Sequence, residues 1–199
     1  MAKVLHAQLQ PPLRWLCWLI LITYIAIYIA GLRITWLAIN FGGVHAHWRP
    51  LRLSLHALCT VYTVELILSL VGYCAMSGGW TVRELFIHHG FFTLAVIWTL
   101  NGDAADRWAP ALAVSLLTAA NEASLVAHVL GAPDRIAALR RLYGFSIIAA
   151  LCATEAWCYA DAITAAPRLV STHVPLFAIL YHLHLLRMYV RRWARTRTL

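Results

Sequence analysis

The chain has 199 residues, of which 62% are hydrophobic and only 12% are charged, and its formal net charge is +8. Because a soluble domain carries about 25% charged residues, this composition excludes an ordinary soluble globular protein and predicts a multi-pass membrane protein. The basic residues lie at predicted helix ends and in a C-terminal tail. This placement favours contact with anionic lipid head groups over nucleic acid binding.

The apolar stretches predict an all-α transmembrane bundle of about six helices. The predicted spans are residues 13–38, 51–75, 81–100, 108–130, 136–165 and 170–190. Tryptophans near the ends of the first span, at Trp15, Trp18 and Trp36, are typical of a membrane interface. We assign residues 1–12 to a short N-terminal segment, 13–192 to the transmembrane domain and 193–199 to a basic tail.

The distribution of lysine and arginine predicts the topology. With six spans and Arg187 left aside, ten basic residues fall towards the side of both termini and five towards the opposite side. The positive-inside rule then predicts both termini on the cytoplasmic or matrix side, in the endoplasmic reticulum or the mitochondrial inner membrane. We expect anionic lipid to contact the basic residues of the last helix and tail, which are Arg187, Arg191, Arg192, Arg195 and Arg197.

The five cysteines lie in or beside apolar stretches, and none forms a CxxC pair. They predict packing residues, not a disulfide framework or a thiolate metal site. His45 and His47 alternate in a predicted surface loop, which is a weak signal for a metal. No metal site is predicted.

Histidines, carboxylates and one asparagine interrupt the apolar spans. Burying such groups in lipid is costly, so they should turn inward and meet one another or water. The polar interior is predicted to contain His56, Glu65, His88, His89, Asn121, Glu122, His128, Glu155, His182 and His184. Such an interior is able to transfer protons, bind a lipid head group, ligate a metal or haem, or hold helices in register.

The adjacent pair His88 and His89 opens the third span, in the stretch ELFIHHGFFTLAVIWTL. Consecutive helical residues point about 100° apart. One imidazole is therefore expected to face the bundle interior, towards the fourth span, and the other a neighbouring helix or the membrane boundary.

The sequence HHGFFTLAVIW, followed in the next span by NEAS, resembles the TLC-domain family, which includes ceramide synthases. The resemblance covers residues 13–192 and implies a fold of about six spans. It matches His88 and His89 to the family's histidine pair and Glu122 to its acidic position. Asn121 stands where ceramide synthases have a histidine, and no aspartate follows Glu122 in that span. The chain is therefore more similar to the non-synthase TLC proteins.

Three functional hypotheses follow from these observations. The first is a non-catalytic, lipid-binding structural subunit of a larger membrane complex, with bound phospholipid and neighbouring membrane subunits but no cofactor. The second is an acyl-CoA-dependent N-acyltransferase, in which His88 or His89 is the general base and Glu122 orients it. The third is transmembrane haem binding, with axial ligands among His56, His88, His89, His128 and His182.

Overall fold

The computed structural model describes residues 11–41, 43–70, 86–102, 105–131, 135–165 and 175–196, and these form an all-α bundle of six helical rods. The helices are α1 (Pro11–Phe41), α2 (Trp48–Leu70), α3 (Phe91–Asn101), α4 (Ala109–Ser115), α5 (Ala119–Val129), α6 (Arg135–Ala165) and α7 (Pro175–Thr196). Shorter helical turns precede or join them at Val44–His47, Phe86–Gly90, Ala105–Trp108 and Leu116–Thr118.

The ends of the bundle differ slightly from the predicted boundaries. Helix α1 begins at Pro11, because proline lacks only an amide that the first helical turn leaves unpaired in any case. Helix α7 continues to Thr196, so most of the segment predicted as a basic tail is helical. Residues 71–85, including the end of the predicted second span, lie outside the described part.

Helix α1 buries one narrow stripe and leaves the rest of its surface apolar. The stripe recurs in alternating steps of three and four, as a helix packed along a neighbour requires, and comprises Cys17, Ile20, Tyr24, Ile27, Gly31 and Ile34, with Leu21 buried beside it. A Cβ atom on Gly31 would lie 2.8 Å from Leu116 Cβ, so glycine allows close approach of α1 to the Leu116–Thr118 turn. The exposed face carries residues such as Trp18, Ile22 and Ile29, which suit contact with lipid.

The buried stripe of helix α2 has the same spacing, and its last residue is a glutamate. Its stripe comprises Leu51, Leu55, Leu58, Tyr62 and Glu65, all of them buried. His56 follows Leu55 directly and therefore points about 100° away from the stripe. It is exposed, so the prediction that His56 belongs to the polar interior is wrong.

The rod that contains α4 and α5 occupies the centre of the bundle. Of its most apolar stretch, 61% is buried, compared with 33–39% for the other three long apolar helices. Helix α1 packs along α5, α4 packs against α6, and α6 pairs with α7. This arrangement surrounds the first residues of α5, including Glu122, with other helices.

Among the described residues, four helical stretches are long and apolar enough to cross a membrane, namely Arg14–Phe41, Trp48–Leu68, Ala105–Ala127 and Tyr143–Ala165. They support a transmembrane protein. Of the third predicted span, the described residues form five residues of π helix, Phe86–Gly90, and the α helix Phe91–Asn101, and residues 81–85 lie outside the described part. Helix α7 is less hydrophobic than these four stretches, because it contains His182, His184 and several arginines.

Candidate functional site

A short π helix, Phe86–Gly90, carries the adjacent histidines into the bundle. The wider turn of a π helix rotates successive residues by less than an α-helical turn does, and such turns are frequent at functional sites. His88 and His89 are consequently both buried, with exposed fractions of 7% and 1%. The sequence predicted that one imidazole would point towards the fourth span, and in the structure both do.

Glu122 of α5 receives both imidazoles. His88 Nε2 lies 3.4 Å from Glu122 Oε1, and His89 Nε2 lies 3.9 Å from Glu122 Oε2. The predicted interior position of Glu122 is confirmed. The prediction also gave it a hydrogen bond from a histidine, serine or threonine of another helix, and two histidines do flank it. Both distances exceed the 2.7–3.2 Å of an ordinary N–H···O hydrogen bond. The carboxylate therefore faces the two rings without closing tightly on either.

A second carboxylate approaches His89 from α2. Glu65 Oε2 lies 3.4 Å from His89 Nδ1 and accepts a hydrogen bond of 2.7 Å from the hydroxyl of Tyr24 on α1. Glu65 is thus held by α1 and directed at the histidine pair. We refer to Glu65, His88, His89 and Glu122 as the His–Glu cluster, which joins α2, the π helix and α5.

Aromatic rings hold the imidazoles in place. The Tyr62 ring stacks on His89 with ring centroids 4.0 Å apart and an interplanar angle of 10°. Tyr181 of α7 places its hydroxyl 3.1 Å from His88 Nδ1. Each histidine therefore directs Nε2 at Glu122 and Nδ1 at a different oxygen, which is supplied by Tyr181 for His88 and by Glu65 for His89.

His89 is incompletely satisfied in this arrangement. Neither of its ring nitrogens, both fully enclosed, makes a hydrogen bond with any atom of the described residues. A buried polar atom left without a hydrogen bond costs about 1–3 kcal/mol. The ring instead lies between two carboxylates, whose oxygens are 3.4 Å from Nδ1 and 3.9 Å from Nε2.

A second buried histidine–carboxylate pair lies between α6 and α7. His182 Nδ1 is 2.9 Å from both Glu155 Oε1 and Glu155 Oε2, and both side chains are buried. The sequence predicted His182 and Glu155 for the interior, and both lie there. His182 directly follows Tyr181, which contacts the His–Glu cluster. Its own imidazole is bound instead to both oxygens of Glu155.

Of the other predicted residues, some are buried, some are exposed, and some have side chains outside the described part. Asn121 is buried, but it packs against α6, where a Cβ on Gly144 would lie 2.9 Å from its Oδ1. His184 is exposed because it lies two residues after His182, on the far side of α7, so its predicted inward position is wrong. Arg187 is exposed. The side chains of His128, Arg191, Arg192, Arg195 and Arg197 lie outside the described part.

Three tyrosines of the site were not identified from the sequence. Tyr24, Tyr62 and Tyr181 contribute a hydrogen bond to Glu65, a stacked ring and a hydroxyl beside His88. Periodicity offered a signal for two of them. Tyr24 lies on the buried stripe of α1, and Tyr62 precedes Glu65 by three residues on that of α2.

The chemistry open to the His–Glu cluster follows from its donors. Two imidazoles between two carboxylates are able to exchange a proton, because imidazole titrates near neutrality. The same atoms are able to hold a cation or the polar end of a ligand. Burying ionisable groups among apolar helices is costly, which makes the cluster a candidate functional site.

A scan against protein-family models and searches of curated proteins and of solved structures found no match to this chain. The resemblance to the TLC-domain family stays a prediction.

Proposed function

We propose that this protein is an integral membrane protein that binds the polar end of a lipid at the His–Glu cluster. The observation that carries the proposal is the His89 ring, which is 1% exposed and has both nitrogens without a hydrogen bond among the described residues. A ligand that offers an oxygen or a proton to this ring relieves that cost.

A lipid suits the surroundings of the cluster better than a water-soluble ligand. The outward faces of α1, α2 and α3 are apolar, with exposed residues such as Ile25, Leu53 and Leu94. Acyl chains are compatible with those faces, whereas the cluster offers carboxylate and imidazole groups to a hydroxyl, carbonyl or amine. An amphipathic molecule meets both requirements.

A catalytic use of the site is a second candidate, favoured by the position of Glu65. The sequence lacks the second histidine and the aspartate of the ceramide synthases, which argued against acyl transfer. Glu65 supplies a further carboxylate 3.4 Å from His89, from a helix outside the resembling motif. An imidazole flanked by carboxylates is a competent general base for deprotonating an amine before acyl transfer from acyl-CoA.

The structural-subunit hypothesis is compatible with lipid binding and concerns the assembly in which the protein acts. It assigns the protein to a membrane complex in the mitochondrial inner membrane or the endoplasmic reticulum, with both termini on the matrix or cytoplasmic side. The basic C-terminal residues support contact with anionic lipid there. Purification in mild detergent, with identification of co-migrating proteins, tests it. The haem hypothesis stays a prediction, tested by a Soret band in the purified protein.

Lipid binding is tested by native mass spectrometry of the purified chain and its His89→Ala variant. We expect the unaltered protein to retain a defined lipid and the variant to lose most of it. His56→Ala is the matched control, because His56 is exposed on α2 and should leave retention unchanged. Equal retention by all three proteins would refute the proposal.

Acyl transfer is tested separately by incubating the purified protein with acyl-CoA and a sphingoid base. The catalytic candidate requires product formation that His89→Ala abolishes and His184→Ala preserves. A monodisperse protein that retains lipid but forms no product would reject catalysis and leave the lipid-binding proposal intact.

A further inference from the structure

We propose that His88, His89 and Glu122 bind a divalent transition-metal ion of the zinc or iron(II) type. One ligand atom from each of these side chains lies within 4.8 Å of the other two. These three residues are the protein ligands of the ion. Only the identity of the group that completes its coordination rests on the proposed lipid binding.

The positions of the donor atoms suit a metal better than direct hydrogen bonds. With bonds of about 2.1 Å, two ligand atoms of a tetrahedral zinc ion lie about 3.4 Å apart. His88 Nε2 and Glu122 Oε1 are 3.4 Å apart, and His89 Nε2 and Glu122 Oε2 are 3.9 Å apart. One ligand atom from each side chain lies within 4.8 Å of the others, so the three must move closer together to coordinate one ion.

The outer contacts are those of metal-binding histidines. A ligating imidazole usually places its second nitrogen against a carboxylate, carbonyl or water, which fixes its tautomer and orientation. Here His89 Nδ1 faces Glu65 Oε2 at 3.4 Å, and Tyr24 anchors Glu65 through its hydroxyl. His88 Nδ1 faces the hydroxyl of Tyr181 at 3.1 Å. Both Nε2 atoms remain directed at Glu122.

The unsatisfied state of His89 is an independent observation that favours a ligand. Its ring is 1% exposed, and its nitrogens make no hydrogen bond within the described part of the chain. A metal ion coordinated by Nε2 satisfies that nitrogen directly. By polarising the ring it also strengthens donation from Nδ1–H to Glu65. The cation in addition offsets the negative charge of carboxylates enclosed in an apolar bundle.

The donor set indicates which ions fit. Two imidazoles with one carboxylate suit zinc and iron(II), whereas calcium and magnesium prefer oxygen ligands throughout. Three protein ligands leave at least one coordination position open. In this protein an oxygen from the polar end of the bound lipid fills that position.

Metal binding is tested on the full-length protein in detergent, stripped with a chelator and then titrated with Zn²⁺ alone. We expect about one tightly held ion per chain, measured by inductively coupled plasma mass spectrometry after desalting. Glu122→Gln should lose the ion. Glu65→Gln, which alters only the outer contact to His89, should weaken affinity about 10–100-fold. Glu155→Gln is the matched control and should bind as the unaltered protein does.

A second measurement guards against variants that do not fold. Replacement of Zn²⁺ by Co²⁺ in the unaltered protein should give visible ligand-field absorption and an X-ray absorption signature of coordinated imidazole. Absence of stoichiometric uptake, or uptake without imidazole ligation, would overturn the metal site. Lipid retention without metal would reject the metal and keep the proposed function, and metal without lipid would do the reverse.

Discussion

The two buried histidine–glutamate arrangements of this bundle differ in how completely their atoms are paired. Between α6 and α7, one imidazole nitrogen of His182 meets both oxygens of Glu155 at 2.9 Å. In the His–Glu cluster, Glu122 lies 3.4 and 3.9 Å from His88 and His89. The same residue types thus form a closed contact in one place and an open one in the other.

This difference separates a structural tie from a site. A closed pair uses its lone pairs and protons internally, so it stabilises the packing of two helices and offers little to a ligand. In the open cluster the buried ring nitrogens of His89 make no hydrogen bond among the described residues, at a cost that a bound group recovers. Measurements of stability and of ligand retention should therefore respond in opposite ways at the two places.

The largest stability effect is expected from His182→Ala. Removing the imidazole leaves the Glu155 carboxylate buried without its partner, which should cost about 3–5 kcal/mol of unfolding free energy. Equilibrium unfolding in mixed detergent micelles measures the change. His184→Ala, on the exposed side of the same helix, should have little effect. A small loss for His182→Ala would show that the pair is not a structural tie.

A smaller loss is expected from Tyr24→Phe, which removes the hydrogen bond between Tyr24 and the Glu65 carboxylate. The hydrogen bond of 2.7 Å from Tyr24 to Glu65 has a carboxylate as its acceptor. Its removal should destabilise the protein by about 1.5–3 kcal/mol. The same unfolding assay measures this, with Tyr28→Phe as the comparison, because that change removes from α1 the acceptor of a neutral, exposed hydrogen bond from Tyr143 and should cost less. If both variants behave alike, Glu65 is not held by Tyr24.

Glu122→Gln should cost less stability than either of these changes, about 1 kcal/mol or less. Glutamine has the shape of glutamate and removes a buried charge, while no contact as short as that of His182 is lost. Ligand retention should nevertheless fall strongly in native mass spectrometry. A loss of stability as large as that of His182→Ala would abolish the distinction between the open cluster and the closed pair.

The smallest effect is expected from Arg107→Gln, which breaks an ion pair outside the bundle interior. Arg107 Nη1 lies 2.7 Å from Asp161 Oδ2, but the two side chains are 42% and 47% exposed. Exposed pairs contribute about 0.2–1 kcal/mol. Because salt screens exposed charges, the small difference should shrink when unfolding is measured at high salt. A loss of several kcal/mol would mean that exposure is a poor guide to these contacts.

The polar residues show how far sequence reasoning reached. The apolar stretches predicted a helical bundle, because every backbone amide and carbonyl in a membrane must be paired within its own helix. The cost of burying polar side chains correctly predicted inward positions for Glu65, His88, Glu122 and His182. The same rule failed for His56 and His184. It states that a polar residue should turn inward, while the packing face of the helix decides whether it does.

The sequence by itself determined the helical class, the apolar surfaces and the set of ionisable groups available to the interior. These follow from composition and periodicity, which are properties of each helix alone. The tertiary structure decided which groups meet: Glu65 with His89, Tyr181 with His88, and Glu155 with His182. These contacts join residues distant in the chain, and they depend on the rotation and spacing of packed helices. Only that packing made one histidine–glutamate arrangement closed and the other open.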